Sequence, residues 1–92
     1  MVWKYKEDTS EDARAEHVAK LRELPRIIPN IERFEVGRDV LHLDRSYDTG
    51  LTSAFADRDA LDFYTVHEAH QEVAALGKEI AEHVVSVDFF TD

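Results

Sequence analysis

Cysteine is absent from the 92-residue chain, which removes disulfides, thiol nucleophiles and thiolate metal sites. Long hydrophobic runs are absent as well. The longest, Val73-Ala74-Ala75-Leu76, falls far short of the about 20 residues that span a bilayer, and no apolar stretch at the start marks export. The expected location is therefore the cytoplasm, with no membrane partner. Positive charge is scarce: 11 Lys and Arg stand against 20 Asp and Glu, a formal net charge of −9. The clustered basic residues that displace counterions from nucleic acid are missing, so nucleic acid is not an expected partner. Glycine and proline are few. The 3 glycines (Gly37, Gly50, Gly77) are isolated, so no glycine-rich phosphate loop exists. None of the serines stands in a G-x-S-x-G context.

What is there suffices for one small domain. Apolar residues make up 43% of the chain, enough for a core and too many for a disordered segment. Mass scaling gives a folded surface of ~5,500 Å² and burial of about 64% of the open chain's surface. That thin margin favours an oligomer. The charge is uneven: residues 1–45 carry 9 basic and 10 acidic residues, whereas residues 46–92 carry 2 basic and 10 acidic. The acidic half argues against an anionic ligand and otherwise reads as a solvated, solubilising face.

Periodicity gives the elements. Val2–Lys6 alternates as a strand. Thr9-Ser10-Glu11-Asp12 marks a helix start, with a hydroxyl cap and acids in the first turn. Ala13, His17, Leu21 and Leu24 form that helix's inner face, with Val18 flanking, and Pro25 and Pro29 are expected to end it at about Leu24. Residues 31–40 read as a strand with Phe34 and Val36 on one face and Arg33 and Glu35 on the other; residues 47–56 read as a third. Asp57 caps a helix that places Ala60, Tyr64 and His67 on one face. A further helix is expected over 68–81, with Ala69, Val73, Leu76 and Ile80 as its stripe, although Gly77 costs it about 1 kcal/mol against Ala. The last strand is expected over 83–90. The order is β-α-β-β-α-β: a ferredoxin-like α+β fold, four antiparallel strands with helices on one face. In the last strand Val85, Val87 and Phe89 would line one face and Val84 and Phe90 the other. Bulky apolar groups on both faces imply that the second face is buried too, by a second copy of the sheet in a homodimer.

The densest chemistry is Tyr64-Thr65-Val66-His67-Glu68-Ala69-His70, at a helix-to-helix junction. Its histidines stand at i and i+3, not the i and i+4 of H-E-x-x-H, so no metal site is expected. Histidine titrates near neutral pH, and a tyrosine one turn away can polarise a substrate oxygen, so the stretch suits proton abstraction beside a carbonyl without a cofactor. The alternative is structural, with a histidine capping a backbone group at the junction and the tyrosine in the core. His17 is either a satisfied core histidine or a pocket residue.

Several stretches together resemble the stress-responsive α/β-barrel family, also called the dimeric α+β barrel. They are Trp3-Lys4-Tyr5-Lys6-Glu7-Asp8, Ile27-Ile28-Pro29-Asn30-Ile31, Phe34-Glu35-Val36-Gly37-Arg38-Asp39-Val40, Tyr47-Asp48, Phe55-Ala56-Asp57-Arg58-Asp59-Ala60-Leu61 and Tyr64-Thr65-Val66-His67-Glu68-Ala69-His70. The last is similar to the family's Tyr-x-x-His-Pro-x-His signature, with Glu68 in place of the proline. The resemblance covers nearly the whole chain, residues 1–92 as one domain. It implies a ferredoxin-like homodimer whose two sheets pack into a barrel. Most members have no assigned activity; one plant member is a polyketide cyclase, and its histidine base and tyrosine would fall on His70 and Tyr64. Leu21 stands where that cyclase has a first-helix tyrosine, and Met1 falls where the family has strand interior, so the native start lies either at Met1 or upstream of it. The resulting expectation is a homodimer that binds a small, partly apolar ligand between helices and sheet, with Tyr64, His67, His70, His17 and Leu21 around the pocket. The alternative is a cofactor-free cyclase, isomerase or lyase with His70 as base and Tyr64 as hydrogen-bond donor.

Overall fold

The structure, a computed structural model, describes residues 1–91. The elements in chain order are β1 (Val2–Tyr5), α1 (Glu11–Ile27), β2 (Ile31–Arg38), β3 (Thr49–Phe55), α2 (Arg58–Val66), α3 (Glu68–Ile80) and β4 (Ala81–Val85). The four strands form one sheet in the order β2-β3-β1-β4, and every neighbouring pair is antiparallel. This is the ferredoxin-like fold, with its second helical segment split in two. No helix among the described residues is long and apolar enough to cross a membrane.

Alternation along β1 decides which face is covered. Trp3 and Tyr5 are buried under the helices, joined there by Leu51 of β3 and by Leu21, Leu24 and Ile28 from α1 and its end. The register places Val2, Gly50, Thr52, Glu35, Gly37 and Val85 on the opposite face, where no further element among the described residues covers them. The molecule is accordingly a slab of 37 × 29 × 17 Å.

The helix starts are fixed locally. The Ser10 hydroxyl accepts from Ala13 N at 3.1 Å, and the Asp57 carboxylate accepts from Ala60 N at 2.8 Å. These satisfy amide groups that have no partner within the helix.

Four boundaries depart from expectation, each for a physical reason. α1 runs through Pro25 to Ile27. Proline removes only its own N–H, and the ladder resumes with Ile28 N donating to Leu24 O at 2.9 Å. β2 stops at Arg38 because the Asp39 carboxylate takes the His42 amide at 2.7 Å and turns the chain. β3 starts at Thr49 because the Asp48 side chain, rather than a backbone carbonyl, takes the Tyr5 amide at 2.8 Å. β4 spans Ala81–Val85 rather than 83–90. Its neighbour β1 has only four residues, and pairing ends at Val2↔Val85. Val84 therefore packs on the core and Val85 faces outward, whereas Val87, Phe89 and Phe90 lie beyond the strand and are exposed.

Candidate functional site

A cavity of about 500 Å³ lies between the covered face of the sheet and the α2–α3 arm. The sheet contributes Trp3, Leu51, Ala81, Glu82 and Val84, with Met1 at one end; α1 contributes Leu21, α2 Tyr64, and α3 His70, Val73, Ala74 and Lys78. The lining is mainly apolar, with a few polar groups, the usual character of a small-molecule site.

Tyr64 and His70 meet there because the chain breaks between α2 and α3. His67 adopts extended backbone at φ −64°, ψ 136°, ending one helix and starting the next. Its amide donates to Tyr64 O at 3.2 Å, and its Nδ1 accepts from Ala69 N at 3.0 Å. The break brings the His70 ring over the Tyr64 ring, with centroids 4.3 Å apart and planes tilted by 43°. Tyr64 also stands against Phe55 and Phe34, at 5.1 and 6.1 Å between centroids, so its ring is held on three sides.

Two protonation states follow from these surroundings. His70 Nδ1 lies 3.0 Å from Thr65 O. A carbonyl only accepts, so Nδ1 carries the proton, and in the neutral ring Nε2 is the basic nitrogen. Burial pushes the Tyr64 phenol up to about 12, so at neutral pH it is a hydrogen-bond donor and not a phenolate.

The remaining expected site residues divide. Leu21 lines the cavity, as an apolar wall. His67 and His17 are not in the lining. His67 serves the helix junction as a cap, and its ring lies against Phe63 at 5.8 Å. His17 is 0% exposed; its Nδ1 is 2.7 Å from the Tyr5 hydroxyl, which in turn lies 2.9 Å from Thr49 Oγ1. Its Nε2 has no hydrogen-bond partner, and burial holds its pKa below the ordinary value, keeping the ring neutral. His17 is thus the core histidine of the two alternatives. Trp3, Val73, Ala74 and Lys78 were not singled out as pocket residues. Val73 was legible as part of the α3 stripe; Lys78 was visible only as one of two cations in residues 46–92. Among the described residues no three His, Cys, Asp or Glu side chains stand close enough to share a metal ion.

A family model described as the stress responsive A/B barrel domain matches residues 1–91. No curated protein matches the sequence. Among solved structures, the chain is similar to a protein of Arabidopsis thaliana, with a TM-score of 0.83 and 24% identity over 99% of this chain and 90% of that one. A dimeric ferredoxin-like protein of unknown function from Thermobifida fusca gives a TM-score of 0.80 at 18% identity, covering 89% of this chain and 77% of that one. A third, from Jannaschia sp. CCS1 and likewise a dimeric ferredoxin-like protein of unknown function, gives 0.73 at 25% identity over 88% and 81% of the two chains.

Proposed function

The chain belongs to the stress responsive A/B barrel domain family, and from that premise we propose that it is a cytoplasmic homodimer that binds a small, partly apolar molecule in the cavity beside Tyr64. The cavity carries this reading. Its about 500 Å³ exceed the roughly 300 Å³ at which ligand sites begin, and a well-packed core leaves few voids larger than a water molecule. The dimer is supported by the bare sheet face and by the dimeric state of similar proteins. That face carries Lys4, Arg33 and Glu35 beside Gly37, Gly50, Thr52, Ala54, Val2 and Val85. It is close to neutral in a chain of net charge −9, so a second copy would meet little repulsion there.

Trp3 is the only tryptophan and lines the cavity, so its fluorescence reports occupancy. Titration with 4-phenylbutanol should quench Trp3 to saturation. Ala74→Phe, at an exposed position on the lining, should abolish the quenching without unfolding the protein. Unchanged quenching in that variant would overturn the reading.

The fixed tautomer of His70 favours a second reading, proton abstraction. With Nδ1–H engaged by Thr65 O, Nε2 would remove a proton α to a carbonyl, and the Tyr64 phenol would donate to the enolate oxygen that forms. Deuterium exchange at the α-carbon of a simple β-keto ester, followed by NMR, tests it. Exchange should be lost in both His70→Gln and Tyr64→Phe; exchange at the uncatalysed rate with the unsubstituted protein would remove the reading.

A further inference from the structure

The lining of the cavity holds no arginine and one lysine, Lys78, and its placement bears on what the cavity takes. The residue stands in the last turn of α3, where the helix dipole favours a cation. Its side chain is exposed yet lies on the cavity lining. No carboxylate among the described residues lies within 4 Å of Lys78, as is also true of Lys4, Lys6, Arg22 and Arg45 in residues 1–45. The acid on the same lining, Glu82, lies instead 3.9 Å from His83 Nε2. In residues 46–92 only Arg58 and Lys78 are basic, against 10 acids, and Arg58 is held 2.8 Å from Asp62. Among the described residues, the cation of this half without a carboxylate partner is therefore the one at the cavity.

We propose that Lys78 is the anchor for an anionic head group, and that the cavity takes amphipathic carboxylates, with an apolar or aromatic body against Trp3, Leu51 and Val73 and the carboxylate at Lys78. The proposal rests on the cavity being a binding site and names its ligand class. It reverses, at short range, the expectation that the acidic half disfavours an anionic ligand. Repulsion from the distant acids is screened within about 8 Å at physiological salt, whereas a contact with Lys78 is not. An ammonium–carboxylate hydrogen bond is also about twice as strong as a neutral one.

Three probes that share one body separate the possibilities: 4-phenylbutyrate, 4-phenylbutanol and 4-phenylbutylammonium, each titrated against Trp3 fluorescence. The carboxylate should bind about tenfold more tightly than the alcohol, and the ammonium most weakly. Lys78→Met should remove the preference for the carboxylate, so that the carboxylate and the alcohol bind within twofold of each other. Lys78→Arg should retain the preference, and Lys78→Glu should shift it to the ammonium. Equal affinity for all three probes, or a preference that persists in Lys78→Met, overturns the assignment of Lys78 and leaves the cavity as a binding site. No quenching by any probe overturns both.

Discussion

A methyl group at position 77 would stand 2.7 Å from His17 Nε2 and 3.0 Å from Trp3 Nε1. Gly77 looks like a weakness in α3 when judged by helix propensity, and the structure shows why it is there: α3 crosses α1 and β1 too closely for any side chain. Gly77→Ala gains about 1 kcal/mol of propensity but overpacks a tight contact, at a cost of about 1–3 kcal/mol. Chemical denaturation should therefore show net destabilisation of up to about 2 kcal/mol. In a His17→Ala background the same change should become neutral or stabilising, and that sign reversal identifies the clash. His17 itself makes stability depend on pH. Its folded pKa is held below the unfolded value by burial, and an unfolded histidine takes a proton near pH 6.5. Between the two values the unfolded state binds more protons, so the contribution of His17 is complete above about pH 6.5 and is lost as pH falls. The stability of the wild type should thus fall between pH 7 and 5 more steeply than that of His17→Asn, which keeps a partner for the Tyr5 hydroxyl. Equal slopes in urea titrations at the two pH values would show that His17 protonates freely in the fold.

The elements were legible where a periodic face met a cap. Alternation around Trp3 and Tyr5, the Ser10 and Asp57 caps and the stripe of α3 all appear in the sequence as they do in the fold. β4 was misplaced because pattern alone cannot show where its partner ends. Ser86–Phe90 has the composition of a strand, but β1 offers it nothing beyond Val2. The site was half legible for a similar reason. Composition treats His17, His67 and His70 alike; only the break at His67 turns one ring to a cap and places another on the cavity lining with Tyr64. Replacing His67 with Ala should cost about 1 kcal/mol, as for other N-caps, and Asn should recover most of it. Because the break positions His70, His67→Ala should also weaken 4-phenylbutanol quenching of Trp3, whereas Asn should preserve it. A loss of stability with unchanged probe affinity would show that the junction holds its geometry without the cap.

At the scale of the whole molecule, the exposed surface of 6704 Å² exceeds the ~5,500 Å² expected of a folded monomer of this mass. The excess is comparable to the about 800 Å² that each partner buries in a standard interface. No described element covers the outer sheet face, and Val85, Val87, Phe89 and Phe90 are exposed. Electrostatics then gives the proposed dimer a distinguishing property. Two copies of net charge −9 repel at long range, and that repulsion is screened as salt rises. An interface that is apolar at its centre should consequently tighten between 20 and 300 mM NaCl, whereas one held by ion pairs would loosen. Sedimentation of the unsubstituted protein should give about twice 10.6 kDa and a dissociation constant that falls with salt. Thr52 tests the face itself. It is exposed, on the outer side of β3, a strand with neighbours on both sides. An arginine there would be solvated in the monomer, and its bulk and charge, beside the cross-strand neighbour Glu35, would have to be buried in the dimer, at a cost of about 3 kcal/mol to association. Thr52→Arg should therefore weaken the dimer roughly hundredfold while leaving the monomer folded. A dimer that survives Thr52→Arg would mean that the copies meet elsewhere, and a monomer at every salt concentration would mean that the slab stands alone.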